Sequence, residues 1–136
     1  MKNLFKFLGI IALVAIIGFT IVSCSTNNGN NDNSGPMTAQ EITDWSMDQK
    51  NSGASAVQRG IATQEMQTPG LTANHPAIPI DSKARIKNIK NRKEVVVTIT
   101  GRIQVSTTRV IDVSPETAQA LGLGSGGEVL IAAPLP

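Results

Sequence analysis

Two adjacent runs of alternating side chains constrain the fold of this chain more than any other feature. The run from Ser82 to Asn88 places Ala84 and Ile86 on one face and basic residues on the other, as in a half-buried strand. After a polar turn, the run from Glu94 to Thr100 is rich in β-branched residues, which favour an extended backbone. We predict a β-hairpin whose second strand is nearly buried on both faces.

The sequence after the hairpin predicts two more strands and one helix between them. The apolar run Arg109–Val113 leads into Ser114, whose hydroxyl can cap a helix, and into Pro115, which tolerates the first helical position. The helix should end at Gly122, and residues 129–132 supply the last strand. Because the chain has only three Phe and one Trp, its core must consist of Val, Ile, Leu and Ala. The fold class is therefore mainly β.

The N-terminal residues have the pattern of a secretory signal. Two lysines precede an apolar run, and the sequence from Ile21 to Cys24 resembles a bacterial lipobox. We predict that residues 1–23 are a lipoprotein signal peptide and that lipid on Cys24 anchors the chain to a membrane of the bacterial cell envelope. An uncleaved anchor with an ordinary thiol is the alternative. Cys24 is the only cysteine, so disulfides within the chain cannot stabilise the fold.

Three ordered segments resemble a known protein family. They read LTANHPAIPI at residues 71–80, KARIKNIKNRKEVVVTIT at 83–100 and RVIDVSPETAQALGL at 109–123. In this order they resemble the double-psi β-barrel of the rare lipoprotein A (RlpA-like) family. The resemblance covers residues 58–136 and implies a small six-stranded double-psi β-barrel with one short helix. It also implies an open groove for peptidoglycan glycan strands, which some members of the family cleave as lytic transglycosylases.

The acid that such cleavage needs is missing from the matched position. In the family pattern, an aspartate in an Asn-Asp-Arg-Gly-Pro segment after the second hairpin strand protonates the leaving oxygen. In this chain Gly101 stands at the position of that aspartate, and only Arg102 of the motif persists. We therefore predict a degenerate catalytic site in a lipoprotein that binds or scaffolds glycan strands.

Several polar residues are candidates for the site that the resemblance implies. His75 matches the family's histidine, and together with Asn74 and Arg102 it is a candidate for glycan binding. His75 and Glu65 are the candidates for residual catalysis, although the chain lacks an insert next to Glu65 that family members carry. A lone histidine beside a proline is also commonly structural. We assign Asp112 a structural role, in which it fixes the strand-to-helix corner through backbone hydrogen bonds.

Residues 24–57 are predicted to form a flexible linker that contains one short helix. The segment STNNGNNDNSGP at 25–36 has too few apolar side chains to offset the entropy cost of ordering. The spacing from Thr38 to Glu41 is that of a capping box, and Ile42 and Trp45 share one side of a helix that reaches about Lys50. Either Trp45 docks on the barrel or on a partner protein, or the helix is marginal and frays.

Charge and composition exclude several other functions. The net charge of +2 is too small to indicate a polyanion partner, and no aromatic residues are interleaved for base stacking, so we expect no nucleic acid. Six basic residues crowd the hairpin, which we interpret as a solvated strand face and turn: Lys83, Arg85, Lys87, Lys90, Arg92 and Lys93. We expect no cofactor and no metal, because one histidine and a lipidated cysteine cannot provide a zinc site.

Two other functions stay open. An active lytic transglycosylase would cleave naked glycan strands with His75 and Glu65 or another carboxylate. A structural lipoprotein would instead bind a partner protein through Trp45 and the basic hairpin.

Overall fold

The computed structural model describes residues 35–136 of the chain. The predicted signal peptide, Cys24 and most of the low-complexity segment lie outside the described residues. Two helices and six strands follow one another in the order α1 (Ala39–Asn51), β1 (Ala56–Thr63), β2 (Thr72–Asn74), β3 (Lys83–Asn88), β4 (Glu94–Gly101), β5 (Arg109–Val113), α2 (Pro115–Leu121) and β6 (Gly126–Ala133). No helix in this part of the chain is both long enough and apolar enough to cross a membrane.

The six strands close into a barrel in the order β1-β5-β2-β4-β3-β6. The first and last strands close it by antiparallel pairing, from Ala56 opposite Ala133 to Thr63 opposite Gly126. Strands β1 and β5 pair in parallel, and so do β2 and β4. The prediction of a mainly β fold with a small six-stranded barrel is confirmed.

Strands β3 and β4 form the predicted antiparallel hairpin. Ala84 and Ile86 are completely buried, as the alternation of β3 indicated. The expectation that β4 is nearly buried on both faces is wrong, because Val97 and Ile99 are buried whereas Val96 is 40% exposed. One face of the barrel wall packs on the interior and the other meets solvent, so β-branched residues on β4 do not imply burial on both sides.

The barrel interior is filled by branched aliphatic side chains, as the shortage of aromatics predicted. Its most deeply buried large side chains include Ile86, Ile99, Ile111 and Ile131. Helix α2 adds Leu121 to the same cluster.

Helix α2 has the predicted start and end signals. The hydroxyl of Ser114 accepts a hydrogen bond of 3.1 Å from the backbone N–H of Thr117, and Pro115 occupies the first turn. Gly122 closes the helix in the left-handed conformation with φ of 62°, which glycine adopts at little cost. Local sequence signals thus determine both ends of this helix.

Helix α1 is a second helix, and it packs on the outer face of the barrel. Trp45 is 9% exposed and lies in an apolar cluster with Ile89, Leu130 and Ala132. The indole Nε1 donates a hydrogen bond of 3.2 Å to Glu94. Of the alternatives for this segment, the structure shows docking on the barrel. A helix this short is marginal alone, and the barrel provides the apolar contacts that stabilise it.

The start of α1 is held to the turn of the hairpin. The predicted capping box between Thr38 and Glu41 is present. Arg92, in that turn, donates hydrogen bonds to the Glu41 carboxylate and to the carbonyl oxygens of Gly35 and Pro36. The hydrogen bond with Arg92, followed by those with Thr38, lowers the pKa of Glu41 to about 2.

Candidate functional site

Three of the predicted site residues lie at one end of the barrel. Strand β2 and strand β4 run in parallel and end together, with Asn74 opposite Gly101, so His75 and Arg102 follow side by side. The backbone N–H of His75 donates to the carbonyl oxygen of Gly101 over 3.2 Å. Strand β1 begins and β6 ends at this same end of the barrel. We call it the barrel mouth and define it by residues 56, 75, 101 and 133.

The imidazole of His75 is buried and fully hydrogen-bonded. Its Nδ1 accepts hydrogen bonds of 3.0 Å from the backbone N–H groups of both Ala77 and Ile78. Because Nδ1 is the acceptor, the ring proton of the neutral imidazole lies on Nε2. Nε2 is 3.0 Å from Oε1 of Gln58, which accepts that proton in a hydrogen bond. The ring is thus held in one tautomer by the loop after β2.

The environment of His75 favours the neutral ring. Burial, and after it the positive charge of Arg102, lowers the pKa of His75 below its usual value. With Nδ1 occupied by two N–H groups and Nε2 protonated, the ring has no free lone pair to accept a proton from a substrate. Its hydrogen-bond partners within residues 35–136 include no carboxylate.

Arg102 fastens the loop that positions His75. Its Nη1 donates to the carbonyl oxygen of His75 over 3.2 Å and also to that of Ile78. The loop between these two carbonyls supplies the N–H groups that hold the imidazole. Arg102 therefore acts on His75 through the backbone, while the residue as a whole is exposed to solvent.

Asn74 covers the position where the resemblance places the catalytic acid. Its Oδ1 accepts a hydrogen bond of 3.1 Å from the hydroxyl of Thr100. A Cβ atom built on Gly101 would lie 2.8 Å from this Oδ1, closer than non-bonded atoms approach. An amide thus occupies the space next to Gly101. No sequence pattern predicts this contact, since it depends on a register shift between Ala73 and Asn74.

The carboxylates of Glu65 and Asp112 both lie against Arg109, and neither forms a hydrogen bond with His75. Glu65 is exposed, and its carboxylate forms an ion pair with Arg109. Asp112 is buried, accepts a hydrogen bond from the hydroxyl of Thr63, and lies 3.5 Å from Nε of Arg109. The backbone hydrogen bonds expected for Asp112 do not occur among the described residues, because neighbouring strands bring these side chains to its carboxylate instead.

The basic residues of β3 are engaged within the domain. Lys83 donates to the hydroxyl of Thr98 over 2.6 Å. Lys87 lies 3.3 Å from the Glu94 carboxylate, and Arg85 donates to Gln49 over 3.2 Å. The interpretation of a fully solvated strand face is therefore wrong for two of these residues: Lys83 is exposed, but the side chains of Arg85 and Lys87 are only 35% and 19% exposed because α1 lies against them.

A cavity of about 260 Å³ opens at the barrel mouth beside His75 and Gln58. Gln58 pairs with Ile131 across β1 and β6, and opposite residues of an antiparallel pair share a face, so Gln58 lies on the inner face of β1 but stays exposed to solvent at the mouth. Apolar side chains form most of the lining, among them Ala56, Ala77, Ile78, Ile131, Ala133 and Pro134. Nowhere in the described part of the chain are three His, Cys, Asp or Glu side chains grouped to hold a metal ion.

Sequence reasoning did not identify Gln58 as a site residue. It is the first residue of the part of the chain that resembles the family, and no local pattern distinguishes it there. Its contact with His75 spans 17 positions and arises from barrel closure.

No protein-family model matches the chain. It is 36% identical over 80 residues to the endolytic peptidoglycan transglycosylase RlpA of Yersinia pestis, which is 58% of this chain and 22% of that protein. It is 42% identical over 71 residues to the protein of the same name from Salmonella typhimurium, covering 52% and 19%.

A third relative gives a similar match. The probable endolytic peptidoglycan transglycosylase RlpA of Nostoc sp. is 40% identical over 70 residues, covering 50% of this chain and 19% of that protein. The chain therefore spans about a fifth of the length of these relatives. Their similarity and the closed six-stranded barrel together identify the folded part of this chain as an RlpA-like double-psi β-barrel.

Proposed function

We propose that this chain is a lipoprotein of the bacterial cell envelope whose barrel binds or scaffolds peptidoglycan glycan strands without cleaving them. The relatives named as endolytic peptidoglycan transglycosylases suggest the ligand. The observation that carries the proposal is the pair formed by Gly101 and Asn74. An amide can donate to and accept from sugar hydroxyls, but it has no acidic proton for a leaving oxygen.

The hydrogen bonds of His75 support the same proposal. Glycan binding needs donors and acceptors held in place, and Asn74 and Arg102 lie at the barrel mouth, where the fully bonded His75 orients Gln58. Catalysis would need a proton donor and an acceptor with free lone pairs. The occupied Nδ1 of His75 does not supply the latter.

The N-terminal part completes the proposal. Residues 1–23 act as the signal peptide, lipid on Cys24 holds the mature chain at the membrane, and the polar segment that follows Cys24 gives the domain its reach. Residues 39–51 do not lengthen this tether, contrary to the prediction of a linker over 24–57, because α1 docks on the barrel and β1 already begins at Ala56. Metabolic labelling with a fatty-acid analogue tests the anchor. Label on the native chain and none on Cys24→Ser is the expected result, and equal labelling of both would refute it.

Sedimentation with purified sacculi tests glycan binding. The full chain, kept in detergent, should co-sediment with sacculi more than an unrelated lipoprotein does. Asn74→Ala should lower the bound fraction, whereas Asn51→Ala at the exposed end of α1 should leave it unchanged. Sedimentation no greater than that of the unrelated lipoprotein would end the binding proposal.

Residual lytic transglycosylase activity is the second candidate, favoured by the names of the relatives. Glu65 is the exposed carboxylate for this role, although it is paired with Arg109. The test is formation of anhydro ends by the native chain and by Glu65→Gln on glycan strands freed of stem peptides, with Glu116→Gln as the matched exposed control. Anhydro ends that Glu65→Gln abolishes and Glu116→Gln does not would favour the enzyme, and no anhydro ends from the native chain would exclude it.

A contact between α1 and a partner protein stays a prediction. Trp45 is covered by the barrel, so a partner that meets α1 in this state would contact its outer side, where Met47 is 58% exposed. Site-specific crosslinking in cells from position 43, which is exposed one turn before Met47 on the same side of α1, tests this contact. A crosslinked protein that is lost when Met47→Asp is added would support the contact, and the absence of any crosslink would refute it.

A further inference from the structure

The cavity at the barrel mouth combines an apolar interior with one polar edge. Its alanine, isoleucine and proline side chains come from the start of β1, from the end of β6 with the residue after it, and from the loop after β2. Gln58 and His75 form the polar edge together with Ser55. Histidine is the only ionisable residue type in the lining, and burial keeps this ring neutral.

The hydrogen bonds at the polar edge run in one direction. Backbone N–H groups of Ala77 and Ile78 donate to Nδ1 of His75, so Nε2 of the ring carries the proton and donates to Oε1 of Gln58. The amide of Gln58 is thereby oriented, with its oxygen towards the ring. Its Nε2 keeps two N–H donors, for which the described residues provide no acceptor. The edge thus offers a donor to a ligand.

The volume of the cavity limits what can enter. Sites that enclose a whole small-molecule ligand commonly have volumes of about 300–1,000 Å³. At about 260 Å³, and open to solvent, this cavity fits a substituent of a larger ligand better than a complete one. An apolar lining with one amide donor is suited to a group with a small apolar end and a carbonyl oxygen beside it.

We propose that this cavity binds the acetamido group of an N-acetylated sugar, with the methyl group among the apolar side chains and the carbonyl oxygen accepting from Nε2 of Gln58. The inference rests on the proposed function and adds the sugar substituent that the barrel recognises. An ammonium group, as on a deacetylated sugar, would lose its hydration here without gaining an anionic partner. His75 acts as a positioning residue, because it orients Gln58.

Calorimetric titration of the full chain in detergent tests the acetamido site. The two probes are a hexamer of N-acetylglucosamine and the matching fully deacetylated hexamer of glucosamine. The acetylated hexamer should bind at least about tenfold more tightly, which is the range expected for one hydrogen bond and one buried methyl group. Equal affinity, or tighter binding of the deacetylated hexamer, would overturn the inference.

Three variants locate the preference. Gln58→Glu keeps the acceptor for His75 and removes both N–H donors, and Ala77→Leu fills the cavity from an exposed position. Each should reduce the preference for the acetylated hexamer to about twofold or less. Gln64→Glu, the same chemical change at an exposed residue outside the lining, should keep the full preference. An unchanged preference in both cavity variants would overturn the assignment.

A third probe separates this inference from the proposed function. Binding of sacculi together with equal affinity for the two hexamers would refute only the acetamido site. If a free stem peptide binds and neither hexamer does, the chain recognises the peptide part of peptidoglycan, and the acetamido site is refuted. Failure of sacculi and of both hexamers to bind would refute the proposed function as well.

Discussion

Replacing Trp45 with alanine should destabilise the domain by detaching α1 from the barrel. Large-to-alanine changes at buried aromatic positions cost about 3–5 kcal/mol in the free energy of unfolding. Trp45 is 9% exposed and packs in the small outer cluster, so we expect the lower end, about 3 kcal/mol. That is a large part of the roughly 5–15 kcal/mol that stabilises a typical domain.

A second substitution separates the contributions of the indole. Trp45→Phe keeps an aromatic ring in the cluster and removes the N–H that donates to Glu94 over 3.2 Å. It should cost about 1–2 kcal/mol, from the lost hydrogen bond and a smaller ring. Met47→Ala, on the exposed side of the same helix, should change stability by no more than about 0.5 kcal/mol.

Urea denaturation followed by circular dichroism gives these free energies, and hydrogen exchange of the α1 amides shows whether the helix alone is released. Fluorescence of the native chain adds an independent check, because Trp45 is its only tryptophan. The reasoning would be refuted if Trp45→Ala cost no more than Met47→Ala and left exchange in α1 unchanged. It would also be refuted if native Trp45 emitted as a fully solvated indole.

Three further predictions follow from other contacts. The free energy of unfolding should fall as the pH drops below about 6.5, because the unfolded chain takes up a proton that buried His75 resists, with a slope of at most about 1.4 kcal/mol per pH unit. Denaturation at pH 7.5 and 5.5 should show this fall in the native chain and not in His75→Gln. The stability that the lowered pKa of Glu41 contributes is lost only as the pH falls from about 4.5 to about 2, below this window. Gly101→Ala should lower the free energy of unfolding by about 1–2 kcal/mol, because the added methyl group displaces the Asn74 amide. In an Asn74→Ala background the same change should cost little or nothing, so additive costs in a double-mutant cycle would contradict the contact. Ser114→Ala should cost about 2 kcal/mol in thermal unfolding, since its hydroxyl both caps α2 and donates to the carbonyl of Gly70 over 2.6 Å; an unchanged melting temperature would contradict this.

The elements with local signals were predictable from the sequence. Alternation of apolar and polar residues identified the β3 and β4 hairpin, and β5 has the predicted bounds Arg109–Val113. Capping residues identified the starts of both helices, Thr38 for α1 and Ser114 for α2. Each of these signals lies within a few residues of the structure that it determines, so tertiary contacts are not needed to recognise it.

Features that depend on distant contacts were not predictable in this way. Strand β2 has only three residues and is held by β4 and β5, and β1 begins at Ala56, two residues before the part of the chain that resembles the family. The docking of α1 depends on an outer apolar patch that includes Leu130 and Ala132, and strand alternation on β6 does not reveal that patch. Exposure of Val96 likewise follows from its place on the barrel wall.

The same distinction applies to the candidate site. The family resemblance pointed to His75, Asn74, Arg102 and the glycine at 101, and the structure places these residues together. Their hydrogen bonds could not be read from the sequence. Gln58 reaches His75 only because β1 and β6 close the barrel, and the register of β2 against β4 sets Asn74 over Gly101.

The most direct test of binding without cleavage measures both in one sample. Glycan strands freed of stem peptides are incubated with the full chain, and the bound fraction and newly formed anhydro ends are quantified together. The RlpA protein of Yersinia pestis, named as an endolytic transglycosylase, serves as the reference for cleavage. We predict saturable binding with no anhydro ends above those in buffer. Anhydro ends that increase with the concentration of this chain, or strands that stay unbound, would contradict the account.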